Sequence, residues 1–546
     1  MAVQRPQTLE GNVVDVQSGE IFQGEVLIEG GLISRINRKA TENSQFILPG
    51  LIDSHVHVES SMLIPQNFAR IAVRHGTVGT VSDPHEIANV LGVKGIEYML
   101  DDARRTPFKF MFGVPSCVPA TPFESSGATI GVEEVAQLFR RGDMGYLAEV
   151  MNFDGVLARD ELLMAKIEIA RAKGKRVDGH APGLRGDDAR KYISAGISTD
   201  HECFTAEEAL DKIRWGMRIS IREGSAAKNF DALIDLIDEF PEFIMLCSDD
   251  KHPDSLVEGH IDRLVQRALA RGHDTIKVIR AATKNPVEHY GMNVGLLQQG
   301  DPADLITVRD LESFQITSTY IDGTKVAQDG ESLLQVATDA APINNFTQYP
   351  VRTSDIAVRH NGGKIRVIEA IPGELITREL IVDPTVQDGF IVGDPDRDIL
   401  KLVNVNRYEK APPAVAFVKN MGLRHGAIAG SVGHDSHNIL AAGASDDEIC
   451  RAIELVMKHR GGLVLCAGEE EIVLPLDVAG LMSREDGDKV AKLYTALDSR
   501  AKELGSQLPA PYMTLSFLAL LVIPELKLSD KGLFSTDGFS FRGLEV

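Results

Sequence analysis

The sequence predicts an α/β fold in which a (β/α)8 barrel is inserted in a small β-sandwich and followed by a C-terminal α+β domain. Three observations support this prediction. Across residues 46–290, short apolar strand-like segments alternate with helical segments. Similar β-rich stretches lie on either side of that region, at 11–47 and 303–327. From about residue 351 the pattern changes again to mixed helices and strands.

The central region has the rhythm of a (β/α)8 barrel. With FILPGLIDSHVH as the first strand, it contains eight strand–helix units over about 250 residues, the usual size of such a barrel. Its helices carry boundary signals: Thr205 and Glu208 have the spacing of a capping box, and Gly174 follows DELLMAKIEIARAK as a C-terminal stop. A doubly wound sheet is the alternative. It is disfavoured because no G-x-G-x-x-G follows the first strand.

The two β-rich flanks have too few strands each to bury a core alone. We therefore expect 1–47 and 296–350 to pack together as one β-sandwich domain, with the catalytic barrel at 48–295 inserted between them. Residues 351–546 then form a third domain. Its clearest helix is predicted over 446–460, because a capping box precedes it, apolar residues share one face, and basic residues fill its last turn.

Composition excludes several classes of partner. The chain is 43% hydrophobic and 25% charged, typical of a globular protein, and its net charge of −22 disfavours nucleic acid and anionic membranes. The sequence contains no run of eighteen apolar residues, so no membrane span is predicted. The apolar stretch FLALLVIPEL (517–526) is too short, so we expect a buried strand or helix there. Five scattered cysteines without a C-x-x-C favour a reducing, cytoplasmic location.

Ionisable residues stand where the predicted barrel strands end, the face that carries the chemistry in this architecture. His55 and His57 end the first strand, and alternation turns both to the same side. By itself an H-x-H pair is weak evidence. Other strand ends add to it: Asp83, His85 and Glu86 on strand two, Glu149 on four, His180 on five, His201 on six, Arg222 and Glu223 on seven, Asp249 and Asp250 on eight.

Imidazole and carboxylate donors in this mixture are the ligands of Zn, Mn or Fe. Their number exceeds what one tetrahedral ion uses, so we expect a binuclear centre that Glu149 could bridge. Each residue has an ordinary alternative: His180 as a loop histidine, His201 as a helix cap, Asp249 as a turn residue. Glu149 is the hardest to dismiss, because it would otherwise be an unpaired charge inside a strand.

A second polar cluster occurs in GSVGHDSHNI (430–439), where His434 and His437 lie three residues apart between glycines. Three interpretations remain open for this segment. It is a structural loop, a loop that closes over an active site, or a further metal site.

Several motifs resemble a known family. PGLIDSHVHVESS with the later His, His and Asp resembles the amidohydrolase superfamily, and GLLQQGDPADLITV (295–308) looks like that superfamily's return from barrel to sandwich. More narrowly, HVHVESSM, GTVGTVSDPHEIANVLG, DGHAPGL, DHECF and SDDKHP are similar to the bacterial adenine deaminase family. The resemblance covers nearly the whole chain, including the C-terminal stretch with GSVGHDSHNI.

The resemblance implies a ligand set and a cofactor. It assigns the metal ligands to the following residues: His55, His57, Glu149, His180, His201 and Asp249. Many superfamily members have a carboxylated lysine where this chain has Glu149, a departure that fits the adenine deaminase branch. The implied cofactor is a pair of divalent ions, Mn²⁺ or Fe²⁺, with Zn²⁺ as a further option.

The resemblance also implies the reaction: hydrolysis of adenine to hypoxanthine and ammonia, with a metal-bound hydroxide attacking C6. Asp249 is expected to carry the hydroxide proton to the leaving amine. Glu86, or else Asp250, is expected to protonate N1, with a pKa raised by crowded carboxylates. His85 and Glu86 are expected to contact the substrate.

Two competing functions remain. The same barrel could hydrolyse a cyclic amide or N-acyl substrate. Alternatively, the chain could be a non-catalytic assembly protein. That function would require the loss of metal ligands, and none of the predicted ligands is missing from the sequence. The expected partners are a small molecule, adenine, and further copies of the same chain in a dimer or tetramer.

Overall fold

The computed structural model describes residues 6–337 and 341–546. At its centre, eight parallel strands form a barrel, named here barrel strands 1 to 8 in chain order: Leu51–Val56, Thr77–Ser82, Lys109–Val114, Tyr146–Val150, Val177–Gly179, Thr199–Asp200, Arg218–Arg222 and Ile244–Cys247. Hydrogen bonds join strands 1 to 5 in one arc and 6 to 8 in another. Strand 5 lies beside strand 6, and strand 8 beside strand 1, which closes the barrel.

Helices follow the barrel strands and cover their outer face. The described helices are Pro65–Ala72, His85–Leu91, Val93–Ala103, Val132–Arg141, Phe153–Ala158, Glu161–Ala172, Gly186–Ser194, Ala206–Arg214, Phe230–Leu233, Leu236–Glu239, Pro253–Glu258, Ile261–Ala270, Thr275–Ala282 and Lys284–Tyr290. Thr205 is confirmed as the N-cap, since its side chain accepts from the Glu208 amide at 3.3 Å. The Glu208 carboxylate accepts from the Phe204 N–H at 3.1 Å, so the predicted capping box is only half formed. Several barrel strands are buried along their whole length, as expected of a sheet covered on both faces.

The two β-rich flanks pair into one eight-stranded sheet. Its strands, in spatial order, are Glu331–Ser332, Thr324–Gln328, Ile316–Ile321, Leu305–Val308, Phe46–Pro49, Gln7–Val14, Ile21–Glu29 and Leu32–Arg38. The segments meet where Phe46–Pro49 pairs antiparallel with Leu305–Val308. The barrel is thus inserted between two adjacent strands of this sheet.

The stretch FILPGLIDSHVH, expected as one strand, is divided at Gly50. Phe46–Pro49 belongs to the outer sheet, and barrel strand 1 begins at Leu51. A Cβ on Gly50 would lie 2.4 Å from the Val78 side chain, so only glycine fits where the chain passes from one sheet to the other.

The C-terminal region is built on a second eight-stranded sheet, in the order Thr377–Val382, Ile365–Ala370, Ala414–Lys419, Ile399–Val405, Ile439–Gly443, Ala427–Gly430, Gly462–Ala467 and Glu470–Pro475. Helices Asp446–His459, Gly487–Glu503 and Pro511–Phe517 accompany it. The helix predicted over 446–460 is confirmed, with Ser445 as its N-cap. Two small sheets complete the region: Val358–Arg359, Phe390–Val392 and Thr385–Gln387; Leu526–Ser529, Gly532–Ser535 and Ser540–Phe541.

The stretch 517–526 differs from the expected strand or helix. It runs as turns between helix Pro511–Phe517 and strand Leu526–Ser529, and Pro524, which lacks an N–H, interrupts any regular ladder. Leu520 within it is buried, as expected. Among the described residues no helix is long and apolar enough to cross a bilayer. All five cysteines are free thiols.

Candidate active site

The six predicted metal ligands lie together at the carboxyl ends of the barrel strands. The Nε2 atoms of His55 and His57 are 3.3 Å apart, and Asp249 Oδ1 lies 3.6 and 3.3 Å from them. The other ring nitrogen of His57, Nδ1, lies 3.2 Å from the backbone carbonyl of Asp83. Donation to that carbonyl fixes the tautomer and leaves the Nε2 lone pair of His57 free for a ligand.

Glu149 lies between two groups of donors. Its Oε1 is 3.2 Å from His57 Nε2 and 3.9 Å from His55 Nε2. Its Oε2 is 2.7 Å from His180 Nδ1 and 3.4 Å from His201 Nε2. A carboxylate with one oxygen toward each group would contribute to both if each group held a cation, and nitrogen and oxygen donors suit Mn²⁺, Fe²⁺ or Zn²⁺. The residues therefore fit a binuclear centre.

Asp249 is held by its backbone and by a buried arginine. Its φ of 54° is in the left-handed region, uncommon for residues other than glycine, and its N–H donates to the His55 carbonyl at 2.9 Å. Arg222 donates to Asp249 Oδ2 at 2.6 Å and to both oxygens of Glu202. Burial favours the neutral acid, but Arg222 and the imidazoles outweigh it and hold the pKa of Asp249 well below its usual range.

The histidines and carboxylates of the site shift one another's pKa values. Burial opposes ionisation of Glu149, but His180, His57 and His201 outweigh burial and hold its pKa well below the ordinary value. Burial alone would lower the pKa of His180, but the nearby carboxylates of Glu202 and Glu149 outweigh burial and raise this pKa to about 9. Glu149 is therefore a carboxylate, the form that bridges metal ions.

Glu86 has a different environment from the one expected. Asp435 and Asp250 are carboxylates near it, but imidazoles make its direct contacts: His434 Nδ1 lies 2.6 Å from its Oε1, and His437 Nε2 contacts its Oε2. Burial raises the pKa of Glu86, but these histidines and His85 outweigh burial and hold it well below the ordinary value. The segment 430–439 therefore reaches the barrel rim, the outcome that the sequence left open.

The residues after His57 position other groups of the site. Ser60 donates to Asp250 Oδ1 at 2.5 Å. Glu59 Oε1 accepts from the Ile87 N–H at 3.2 Å, in the first turn of the helix that carries His85 and Glu86. Burial, and then the neighbouring Asp249, raise the pKa of Asp250. Within the stretch VESS, Ser60 therefore holds Asp250, and Glu59 holds the first turn of the helix that carries His85 and Glu86.

A narrow cavity adjoins the predicted metal ligands. One side is polar, with His57, Glu149 and Asp249 among its residues. The lining also includes four apolar residues of the C-terminal region, called here the apolar wall: Leu375, Phe517, Leu520 and Ile523. A narrow space with one polar and one apolar wall suits a flat heterocycle whose reacting edge faces the metal ligands.

Sequence reasoning missed part of this cavity. Glu202 and Asp435 line it without having been candidates, and Arg222 was noted at a strand end but given no role. For Glu202 a signal was available, since it follows His201 directly. For the apolar wall, the only sequence signal is the apolar composition of 517–526. That composition predicts burial of the segment but not its contact with the cavity.

Comparison with known proteins agrees with this architecture. Residues 46–326 match the amidohydrolase family, and residues 374–540 match the adenine deaminase C-terminal domain. An adenine deaminase of Salinibacter ruber is 54% identical over 537 residues, covering 98% of both chains. Those of Methanosarcina barkeri and Borreliella burgdorferi are 53% and 44% identical, again over 98% of both chains. Identity of this extent over both matched regions means that the chain belongs to the adenine deaminase family of metal-dependent amidohydrolases.

Proposed function

We propose that the chain hydrolyses adenine to hypoxanthine and ammonia in this cavity. The observation that carries the proposal is that Glu149 lies between two groups of donors in a cavity also lined by apolar residues of the adenine deaminase C-terminal domain. Relatives about half identical over nearly the whole length bear the name adenine deaminase, which supports the same substrate.

The two donor groups would hold a pair of divalent cations. His55, His57 and Asp249 belong to one group, His180 and His201 to the other, with Glu149 between them. Bound cations would make hydroxide available from water near neutral pH and draw electron density from the substrate. Mn²⁺ or Fe²⁺ is our preferred pair, and Zn²⁺ suits the same donors.

Asp249 carries a proton in the proposed reaction. Arg222 occupies its Oδ2, so Oδ1 is the oxygen that faces the imidazoles and the cavity. Because its pKa is low, Asp249 is ionised and can accept the proton of the attacking hydroxide. Delivering that proton to the exocyclic nitrogen converts a poor leaving group into ammonia.

Glu86 protonates ring N1 in the proposed reaction, which makes C6 more electrophilic. It lies at the cavity with His85, whose Nε2 is 3.6 Å from Glu86 Oε1, and both residues are positioned to contact the base. Asp250, with its raised pKa, is the second candidate for this proton. The apolar wall contacts the faces of the base and excludes bulk water from the reacting edge.

Loss of the adenine absorbance spectrum tests the proposed function. Protein loaded with Mn²⁺ or Fe²⁺ should convert adenine to hypoxanthine with release of one ammonia per base. A panel of cyclic amides and N-acyl compounds serves as the comparison. An unchanged spectrum with metal loaded, or faster turnover of a cyclic amide, would refute the assignment.

A further inference from the structure

The pair of histidines around Glu86 comes from the C-terminal region, more than 340 residues away in sequence. We propose that His434 returns a proton to Glu86 in every catalytic cycle, while His437 orients the Glu86 carboxylate without supplying a proton. The inference rests on the proposed function, because it concerns the proton that Glu86 gives to the base.

The stoichiometry of the reaction requires such a supply. Hypoxanthine keeps a hydrogen on N1, so the proton that Glu86 transfers leaves with the product. Glu86 is 2% exposed, and its two oxygens contact His434 and His437, so water approaches it through the cavity that the base fills. While the base is bound, an imidazole beside Glu86 must therefore supply the proton. His85 Nε2 lies 3.6 Å away, beyond hydrogen-bond distance, which leaves His434 and His437.

The hydrogen bonds of His437 make it an orienting group. Its Nδ1 accepts from the Gly433 N–H at 3.3 Å, so its proton is on Nε2 and points to Glu86 Oε2. Burial outweighs the pull of Glu86 and lowers the pKa of His437 to about 4. A neutral imidazole with one committed N–H holds the carboxylate in place but has no spare proton.

The surroundings of His434 favour its charged form. Its Nδ1 lies 2.6 Å from Glu86 Oε1, and its ring stacks on Phe517 with centroids 4.3 Å apart. Burial opposes the charge, but Glu86 raises the pKa of His434 to about 9. The other titratable groups that face it are Asp250, Asp435, His437 and His252.

The transfer balances over one turnover. The His434 Nδ1–H bond breaks as Glu86 Oε1 gains the proton, and the Glu86 O–H bond breaks as N1–H forms on the base. His434 is then neutral. After the product leaves, water that enters the cavity, which His434 also lines, returns a proton to His434. This proton is equivalent to the one that the next attacking water gives up on becoming hydroxide, so no proton is consumed beyond those of the water hydrolysed.

Steady-state kinetics of three metal-loaded variants test the inference. His434→Asn should lower kcat by about a hundredfold with little change in KM, the scale of a lost proton donor. His437→Asn should lower kcat by about tenfold. His289→Asn is the matched control: His289 is buried too, but it bonds Ser198 before barrel strand 6, away from the cavity. Its kcat should match that of the unmodified protein.

The pH profile gives a second readout that a purely structural role would not move. In the unmodified protein kcat should fall above about pH 9 as His434 loses its proton, and this decline should disappear in His434→Asn. If His434→Asn does not fold, His434→Gln is measured in its place. A kcat within threefold of the unmodified protein would overturn the inference, whereas absence of adenine turnover in the unmodified protein would overturn the proposed function instead.

Discussion

The two halves of the cavity are built in different ways. The barrel contributes its donors from the ends of parallel strands, where a rigid backbone fixes each side chain. The C-terminal region contributes its groups from loops and turns, such as 430–439 and 517–526. The barrel thus provides the predicted metal ligands, whereas the C-terminal region provides the apolar wall and the histidines that contact Glu86. Metal binding and substrate fit can change separately in such an arrangement.

The largest expected effect is on the barrel side. Glu149→Gln removes the charge that faces both donor groups, so we expect loss of bound metal and a fall of at least a thousandfold in kcat. Metal analysis and adenine turnover measure the two effects. Glu124→Gln is the matched control, since Glu124 is also a buried glutamate but bonds Thr121. Full metal content in Glu149→Gln would contradict the bridging role.

A smaller effect is expected on the C-terminal side. Leu520→Ala shortens a side chain of the apolar wall and should raise KM for adenine about tenfold, equivalent to ~1.4 kcal/mol, while metal content and kcat stay near normal. Leu515→Ala provides the comparison, because Leu515 is equally buried but does not line the cavity. Equal KM values for the two variants would show that the wall does not bind the base.

The smallest expected effect on activity concerns Lys527. Its buried amine donates to the carbonyls of Leu375 and Phe517, two residues of the apolar wall, at 2.7 and 3.0 Å. Lys527→Met should raise KM about threefold by loosening the wall. Lys401→Met, which also removes a buried amine of the C-terminal region, should leave KM unchanged because Lys401 bonds Asp446 and Ile356 instead.

Lys527 also gives a pH test with a defined sign. Burial lowers its pKa from 10.5 to about 7. Between these values the unfolded chain binds a proton that the folded protein does not, so this residue makes stability rise with pH. The Tm of the unmodified protein relative to Lys527→Met should therefore increase between pH 7 and pH 9.5. A constant difference in Tm would contradict the low pKa.

The sequence was sufficient for the barrel and its ligands because both follow local rules. Strand periodicity locates the strand ends, and parallel strands bring their carboxyl ends to one edge, so His55 and Asp249 could be placed together without a structure. The contact of His434 with Glu86 follows no such rule. It depends on how a separate sheet lies over the barrel, which neither segment encodes locally.

The same reasoning explains the misjudged surroundings of Glu86. In sequence its nearest ionisable neighbours are Asp83 and His85, so crowding by acids was the natural expectation. The decisive neighbours are distant histidines, and they reverse the direction of the pKa shift. The contacts of Glu86 therefore depend on how the C-terminal region lies over the barrel, whereas those of Glu149 follow from the regular order of the barrel strands.

The pairing of Phe46–Pro49 with Leu305–Val308 has a consequence for biosynthesis. The first four strands of the outer sheet leave the ribosome long before their remaining partners, which follow only after the whole barrel has been made. Until then Phe46–Pro49 has an exposed edge, a surface prone to aggregation. Strand Leu305–Val308 can pair with that edge only after the two ends of the barrel have come together. A complete outer sheet therefore indicates that the barrel has closed. We expect nascent chains that end within the barrel to depend on chaperones more than chains released after residue 332.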